Sequence, residues 1–441
     1  LQEKLNLGIE GEEYNKILNK YCNLLDRFSA LGGYDMDINI NTVVDGLNIN
    51  KKVLNQKYNL LSGGEKTLVQ LAKVLIIKPD LVLLDEPTNH VDISRIEWLE
   101  SYIKSFKGAA VIVSHDRYFL DKMSNRILDL DNGVGKIYDT NYTGYLEEKQ
   151  KDFEKQMANY KDQQAIIKRL EEQRKYFAQR GMATNSSTLC DRAHVLQAKI
   201  ERLKKVAIAR PQVKRKINMD FNEIRKSSKK VISVDKLSVI TPENRIILNK
   251  INLDIYSHEK VAFIGKNGSG KTTFIKTILG EQNLEVNGSV YIGPSVKIGY
   301  LPQVIKFENE EEQLLDYFKS TIEVNEQRAR EILAKFEFYK EDVNKKIKNL
   351  SGGERMKVKL AELLQQKINT LIFDEPTNHI DIPTKEILEE ALEEFDGTLI
   401  FISHDRYFIN KFADKVVEFE NGKVNTYLGN YDNYIEKKRS I

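Results

Sequence analysis

Nine consecutive residues, Gly265-Lys266-Asn267-Gly268-Ser269-Gly270-Lys271-Thr272-Thr273, carry the densest chemistry in this chain. Glycines at 265, 268 and 270 let backbone N–H groups converge on an anion, and a helix starting behind them presents its positive end. Lys271 suits the β- and γ-phosphates of ATP, and the Thr272 hydroxyl suits Mg2+. Val261-Ala262-Phe263-Ile264 predicts a buried strand running into this loop, and Thr273-Phe274-Ile275-Lys276 opens a helix out of it. A second cluster, Leu371-Ile372-Phe373-Asp374-Glu375, is an apolar strand ending in two carboxylates. Asp374 is placed to act at the metal, and Glu375 to orient or deprotonate an attacking water. A solvated acid pair or a chance glycine turn would explain either cluster alone. The strand–loop–helix context and the repetition described next argue against both.

Leu61-Ser62-Gly63-Gly64-Glu65 recurs as Leu350-Ser351-Gly352-Gly353-Glu354, an offset of 289 positions. Asp85-Glu86-Pro87-Thr88-Asn89-His90 recurs at Asp374 to His379, and Ser114-His115-Asp116-Arg117-Tyr118-Phe119 at Ser403 to Phe408, with the same offset of 289. Asn141-Tyr142 and Asn430-Tyr431 also keep it. Residues 61–150 and 350–439 are therefore two copies of one domain. Applying the offset to Lys271 puts the first copy's equivalent at position −18, so that copy's loop is expected outside this sequence, through truncation or disorder.

The elements that must position these groups follow from the apolar runs. Leu81–Leu84, Ala109–Val113, Thr370–Phe373 and Leu399–Ile402 read as strands alternating with helical segments, which implies an α/β fold with a parallel sheet in each copy. The expected organisation is a first domain over 1–144, a helical connector over 145–210 with its tip at 180–190, a basic linker over 211–230, and a complete second domain over 231–441. The 441 residues are 41% hydrophobic and 30% charged, and no apolar run approaches the length of a membrane span. Two cysteines, Cys22 and Cys190, exclude a disulfide framework and suit a reducing cytoplasm. The net charge of +3 implies no nucleic-acid partner by itself.

Together these motifs resemble the ATP-binding-cassette superfamily. The resemblance implies that Ser62, Gly63, Gly64, Glu65 and their counterparts Ser351, Gly352, Gly353, Glu354 are signature motifs that contact the γ-phosphate of ATP held by the opposite cassette. It implies that His115 and His404 are switch histidines, and that Gln303, in Tyr300-Leu301-Pro302-Gln303, senses Mg2+ and the water. Head-to-tail geometry would set Gly265–Thr273, Gln303, Asp374, Glu375 and His404 against Ser62–Glu65. The other site would combine Asp85, Glu86, His115 and Ser351–Glu354. One departure stands out: relatives stack an aromatic on adenine about 25 residues before the loop lysine, but residues 222–255 hold no Phe, Tyr or Trp. Ile240 or Ile246 is the expected substitute.

Tandem cassettes without membrane segments, Glu-Pro-Thr-Asn-His-Val/Ile-Asp at 86–92 and 375–381, and Ser-His-Asp-Arg-Tyr-Phe twice resemble the ABC-F family. The resemblance implies a monomer whose cassettes close on each other, acting on the 70S ribosome, rRNA and the P-site tRNA. Its role would be that of a translation factor or of an antibiotic-resistance protein. The connector reads as an antiparallel helical hairpin. Phe153, Met157, Tyr160, Ile167, Leu170 and Phe177 share one stripe, and Ala193, Leu196, Ile200, Leu203 and Ala207 another. Thr188 or Asp191 is the expected cap of the second helix. Residues 145–210 hold 15 Lys+Arg against 9 Asp+Glu, and 211–230 hold 7 against 2, an excess suited to RNA backbone. Arg180, Met182, Thr184 and Asn185 at the tip are the candidates for RNA contact. The rival readings are a transporter's ATPase subunit and a DNA-repair or chromosome ATPase. The first lacks such a hairpin, and the second carries longer coiled coils or zinc modules.

Overall fold

The computed structural model describes residues 11–30, 32–89, 91–131, 133–206, 228–281, 284–378 and 380–440. They divide into two compact units, Leu1–Phe119 with Met219–Ile441, and Leu120–Asn218. Residues 120–144, expected with the first domain, thus segregate with the helical connector.

In the first unit, the amino-terminal part comprises α1 (Glu12–Ala30), α2 (Met36–Gly46), α3 (Lys51–Leu54), α4 (Gly63–Ile77), β1 (Leu81–Asp85), α5 (Ile93–Ser105), β2 (Ala109–Val113) and the start of α6 (Arg117–Met123). Strands β1 and β2 pair in parallel, Leu81 opposite Ala109 and Asp85 opposite Val113. The helix α4 begins where it does because Ser62 caps it: Glu65 N–H donates to Ser62 Oγ at 3.4 Å, while Ser62 N–H donates to Glu65 Oε2 at 2.9 Å.

The second unit runs through α6 to β3 (Ile127–Asp131), β4 (Val134–Tyr138), α7 (Tyr142–Ala183) and α8 (Ser187–Lys205). The β3–β4 hairpin is tied to α7 by the Lys149 ammonium, which donates to Asp129 Oδ2 at 2.6 Å, and by edge contact between Tyr138 and Tyr145. Ile167 and Gly181 on α7 and Ala193 and Ile200 on α8 are buried where the helices meet. Arg174 donates to Gln197 Oε1 at 2.9 Å, and Lys204 pairs with Glu171 at 2.7 Å. Ala207 and most of the basic stretch 211–230 lie outside the described residues. The turn is tighter than expected. Helix α7 continues through Gly181, Met182 and Ala183, so only Thr184–Ser186 separate the two helices, and Thr188 and Asp191 lie inside α8. Gly181 permits this: a Cβ there would meet Cys190 Sγ at 2.9 Å.

The chain re-enters the first unit with β5 (Lys230–Ile240), β6 (Ile246–Tyr256), β7 (Lys260–Gly265), α9 (Lys271–Leu279), β8 (Glu285–Ile292) and β9 (Ile298–Leu301). It continues through α10 (Leu314–Ile322), α11 (Glu326–Lys335), α12 (Gly352–Gln365), β10 (Thr370–Asp374), α13 (Ile382–Glu393), β11 (Thr398–Ile402), α14 (Arg406–Phe412), β12 (Lys415–Glu420), β13 (Lys423–Leu428) and α15 (Tyr431–Arg439). One sheet runs β13-β12-β7-β11-β10-β9, parallel except for β13 at its edge, and a smaller antiparallel sheet runs β6-β5-β8. Every residue of β10 and β11 is buried, as expected for central parallel strands covered on both faces. Phe263, Phe274 and Phe419 meet edge-on at 5.3–5.6 Å between centroids, locking β7, α9 and β12 together. Full burial of each such ring contributes about 2–3 kcal/mol.

Candidate nucleotide site

Strand β7 delivers the glycine loop to the end of the sheet. Gly265 has φ +142 and Gly270 φ +97, and a Cβ would meet Phe419 O at 2.4 Å in the first case and Leu248 Cδ2 at 2.8 Å in the second. Both positions therefore require glycine for conformation and for space. Helix α9 starts at Lys271, two residues earlier than expected, so Lys271 and Thr272 stand on its first turn. Lys271 is 5% exposed, and its ammonium donates to the carbonyls of Gly265 (2.8 Å) and Lys266 (3.0 Å). Burial holds its pKa below the usual lysine value.

The loop lines a cavity of about 790 Å3 from Lys266 through Thr273, and Gln303, Glu375 and His404 line it too. Thr272 Oγ1 donates to Asp374 Oδ1 at 3.2 Å, while Asp374 Oδ2 is buried with no partner. Burial pushes the Asp374 carboxyl up to about 6. A hydroxyl, an orphaned carboxylate oxygen and a nearby amide are hard oxygen donors of the kind Mg2+ takes, so the residues present fit that ion.

Glu375, just past β10, adopts φ +51, the left-handed region that a non-glycine residue enters only where its surroundings enforce it. Its N–H donates to Ile402 O at 3.0 Å, bridging β10 to β11. Its carboxylate accepts from Gln303 Nε2 at 2.6 Å and from Asn378 Nδ2 at 2.5 Å, and its Oε1 lies 3.7 Å from His404 Nε2. His404 is buried with both ring nitrogens unpartnered, and burial, reinforced by the Lys271 charge, lowers its pKa to about 3. It is therefore a neutral imidazole. Asp92, the cap of α5 in the first copy, is near enough for its carboxylate to favour the protonated forms of Lys271 and His404.

The first copy repeats the arrangement. Glu86 has φ +46, its N–H donates to Val113 O at 2.9 Å, and its Oε1 lies 3.6 Å from His115 Nε2. Asp85 ends β1 as Asp374 ends β10. Burial raises the Glu86 carboxyl.

Ser62–Glu65, expected opposite the loop, do not line its cavity among the described residues. Glu65 and Glu354 are engaged in capping boxes with Ser62 and Ser351, and Glu354 also accepts from Lys345 at 3.1 Å. They serve their own helices in this arrangement. Gly63 and Gly64 face open space, where a Cβ would meet nothing within 4 Å. Ile246 lines the cavity, 57% exposed, whereas Ile240 does not. Arg180, Met182, Thr184 and Asn185 are all exposed at the hairpin turn, far along the sequence from the cavity residues, and Met182 is 80% exposed. No helix among the described residues is long and apolar enough to cross a membrane.

The sequence motifs assign no site role to Asp92 or Lys385. Asp92 ends the repeated Glu-Pro-Thr-Asn-His-Val/Ile-Asp segment and caps α5 as Asp381 caps α13.

Residues 14–89 and 248–378 match a protein family described as ABC transporter, and residues 128–221 match a companion family with the same description. The putative ATP-binding protein YdiF of Bacillus subtilis is 37% identical over 97% of this chain and 65% of its own length. The chain covers 55–65% of the first four curated relatives it matches. ATP-binding protein Uup of Buchnera aphidicola is 34% identical over 99% of this chain and 70% of its own length. The energy-dependent translational throttle protein EttA of Escherichia coli K12 is 31% identical over 97% and 76%. In fold, the archaeal ribosome recycling factor aABCE1, solved with the stalk protein aP1, superposes with a TM-score of 0.59 at 20% identity, covering 91% of this chain and 70% of that one. With two cassette domains, a helical insertion between them and relatives of this identity and coverage, the chain belongs to the ABC-F family.

Proposed function

We propose that this chain binds and hydrolyses ATP at the Gly265–Thr273 loop and couples that cycle to engagement with, and release from, the ribosome in the cytoplasm. The observation that carries the reading is the convergence of Lys271, the Thr272–Asp374 pair, Glu375 and His404 on one cavity. Thr272, Asp374 and Gln303 would hold Mg2+, which supplies charge neutralisation at the phosphates. The loop amides and Lys271 bind the β- and γ-phosphates. Glu375, fixed by Gln303 and Asn378, accepts a hydrogen bond from the attacking water and takes its proton as the oxygen bonds to the γ-phosphorus and the bond to the β-phosphate oxygen breaks. Neutral His404 keeps its one ring N–H free to donate to the γ-phosphate. Closure of the cassettes would bring Ser62, Gly63 and Gly64 over the phosphates. Their open glycine faces leave room for that approach.

The ribosome enters through the family. EttA is named a translational throttle, and the exposed, basic α7–α8 hairpin is suited to RNA backbone. In this reading the hairpin turn, with Arg180, Met182, Thr184 and Asn185, reaches the P-site tRNA and rRNA of the 70S particle near the peptidyl-transferase region. The same placement would serve a general translation factor or a protein that dislodges antibiotics. Inhibitory concentrations of ribosome-targeting drugs, with and without expression, separate the two. The test of the whole reading is cosedimentation: Glu375→Gln with Glu86→Gln should trap the ATP-bound protein on ribosomes, and free protein under those conditions would refute it.

A further inference from the structure

Contacts between the two cassettes repeat by the same offset of 289 that relates the sequences. Arg117 of the first copy pairs with Glu389 of the second at 3.0 Å, and Arg406 of the second pairs with Glu100 of the first. The Arg117 guanidinium lies 5.0 Å from the Tyr407 ring, and that of Arg406 4.2 Å from the Tyr118 ring. Asp116 caps Phe119 N at 2.9 Å, as Asp405 caps Phe408 N at 3.1 Å.

One position breaks this reciprocity. Lys385 of α13 corresponds to Ile96 of α5, which is 1% exposed. Lys385 is 5% exposed, and its ammonium donates to His115 O at 2.9 Å and to Asp405 Oδ2 at 2.9 Å. Both Lys385 and Ile96 line a small cavity of about 40 Å3 shared by Glu86 and His115 on one side and by His404 and Asp405 on the other. The peptide that Lys385 holds through the His115 carbonyl is followed directly along the chain by Asp116. The His115 N–H, on the preceding peptide, donates to Glu86 Oε2 at 3.3 Å. Burying an ammonium is costly unless it is paired, and isoleucine fills the equivalent space in the other copy. Packing alone does not call for a lysine here. Its positive charge also opposes the rise that burial imposes on Glu86.

We propose that Lys385 is a positioning residue for the Glu86–His115 pair, tying that pair to the second cassette, and that the two Glu–His pairs are for this reason functionally unequal. The catalytic half of this proposal rests on the ATP-hydrolysis reading above. The anchoring half does not. Three variants of the full-length protein test it: Lys385→Ile, which copies the residue tolerated at position 96, Lys385→Arg, which keeps the charge, and Ile96→Lys, which restores symmetry.

Hydrogen exchange is read first, without ATP. Lys385→Ile should speed exchange over 113–119 about tenfold, the effect of losing one charged hydrogen bond, and Lys385→Arg should restore most of the protection. Turnover is then read in two backgrounds. With Glu375→Gln, Lys385→Ile should lower the remaining kcat about tenfold with KM within about twofold, and with Glu86→Gln it should change kcat by less than about twofold. Ile96→Lys should narrow the difference between the backgrounds. Unchanged exchange over 113–119 overturns the assignment whatever the turnover, and so does an equal fall of kcat in both backgrounds. Faster exchange in a protein whose unsubstituted form has no turnover removes the hydrolysis reading and leaves Lys385 as the anchor of His115.

Discussion

The Glu375–His404 and Glu86–His115 pairs share their local geometry and differ in almost everything around it. Backbone φ values of +51 and +46, strand-bridging N–H bonds of 3.0 and 2.9 Å, and Glu–His separations of 3.7 and 3.6 Å are near copies. Yet in this sequence, which holds the glycine loop of the second copy only, the His404 side chain is 9% exposed and that of His115 44%. Glu375 is held by two side-chain amides, whereas Glu86 accepts from the His115 backbone N–H. Neighbouring strands show the same contrast. Leu83 and Val111 are 70% and 55% exposed, while their counterparts Ile372 and Ile400 are each 1% exposed, packed in one core cluster with Phe263 and Phe274. Short motifs therefore set conformation. Burial, charge state and partners are set by the elements packed around them.

The largest effects on stability are expected where that packing is reciprocal. Arg406→Ala removes the guanidinium from buried Glu100, and Arg117→Ala removes it from buried Glu389, which Lys411 also reaches at 3.0 Å. Breaking a buried pair in this way costs about 3–5 kcal/mol. Urea unfolding should show a loss of this size for both variants. A loss below about 1 kcal/mol in either variant would mean that the seam does not depend on these pairs.

Smaller is an acid sensitivity at His404. His404 falls from its ordinary value near 6.5 to about 3 on folding. The unfolded chain then binds the extra proton, so this contribution is whole above pH 6.5 and is lost as pH falls toward 3. Between these limits the slope approaches about 1.4 kcal/mol per pH unit. Unfolding free energy measured from pH 6.5 down to 5 should fall less steeply in His404→Gln than in the unsubstituted protein.

The capping boxes should be near equals. Ser62→Ala and Ser351→Ala each remove a helix cap, at a cost of about 1 kcal/mol in thermal unfolding. The smallest effect on ATP chemistry is expected at the hairpin. Replacing 181–187 by a short glycine linker should leave basal ATPase within about twofold, because no cavity residue is touched, while activity on translation is lost. Retained activity in cells at matched expression would make the hairpin a spacer.

What could be read from residues alone follows the same division. Thr370–Asp374 and Thr398–Ile402 are unbroken apolar runs, which is how buried parallel strands announce themselves, and the glycine loop is a local pattern. The hairpin turn was harder. Residues 180–190 are expected as the tip between the helices, but Gly181 lets α7 pack closely on α8 and continue to Ala183. The Ser-x-x-Glu spacing of 62–65 carried a capping signal that the resemblance to a nucleotide contact overshadowed. Asp92 and Lys385 act on residues far away in sequence, and periodicity holds no trace of such contacts. The offset did hold one for Lys385: lysine where the other copy has isoleucine.

The central claim is that Glu375, fixed beside His404 and the loop lysine, activates the water that attacks ATP. The most direct test measures ATP binding and multiple-turnover hydrolysis side by side for the unsubstituted protein and Glu375→Gln, with folding checked by circular dichroism. The account predicts unchanged affinity and a rate lower by about 10²–10⁴-fold, the range for losing a general base. Turnover at the unsubstituted rate in a folded Glu375→Gln protein would contradict it.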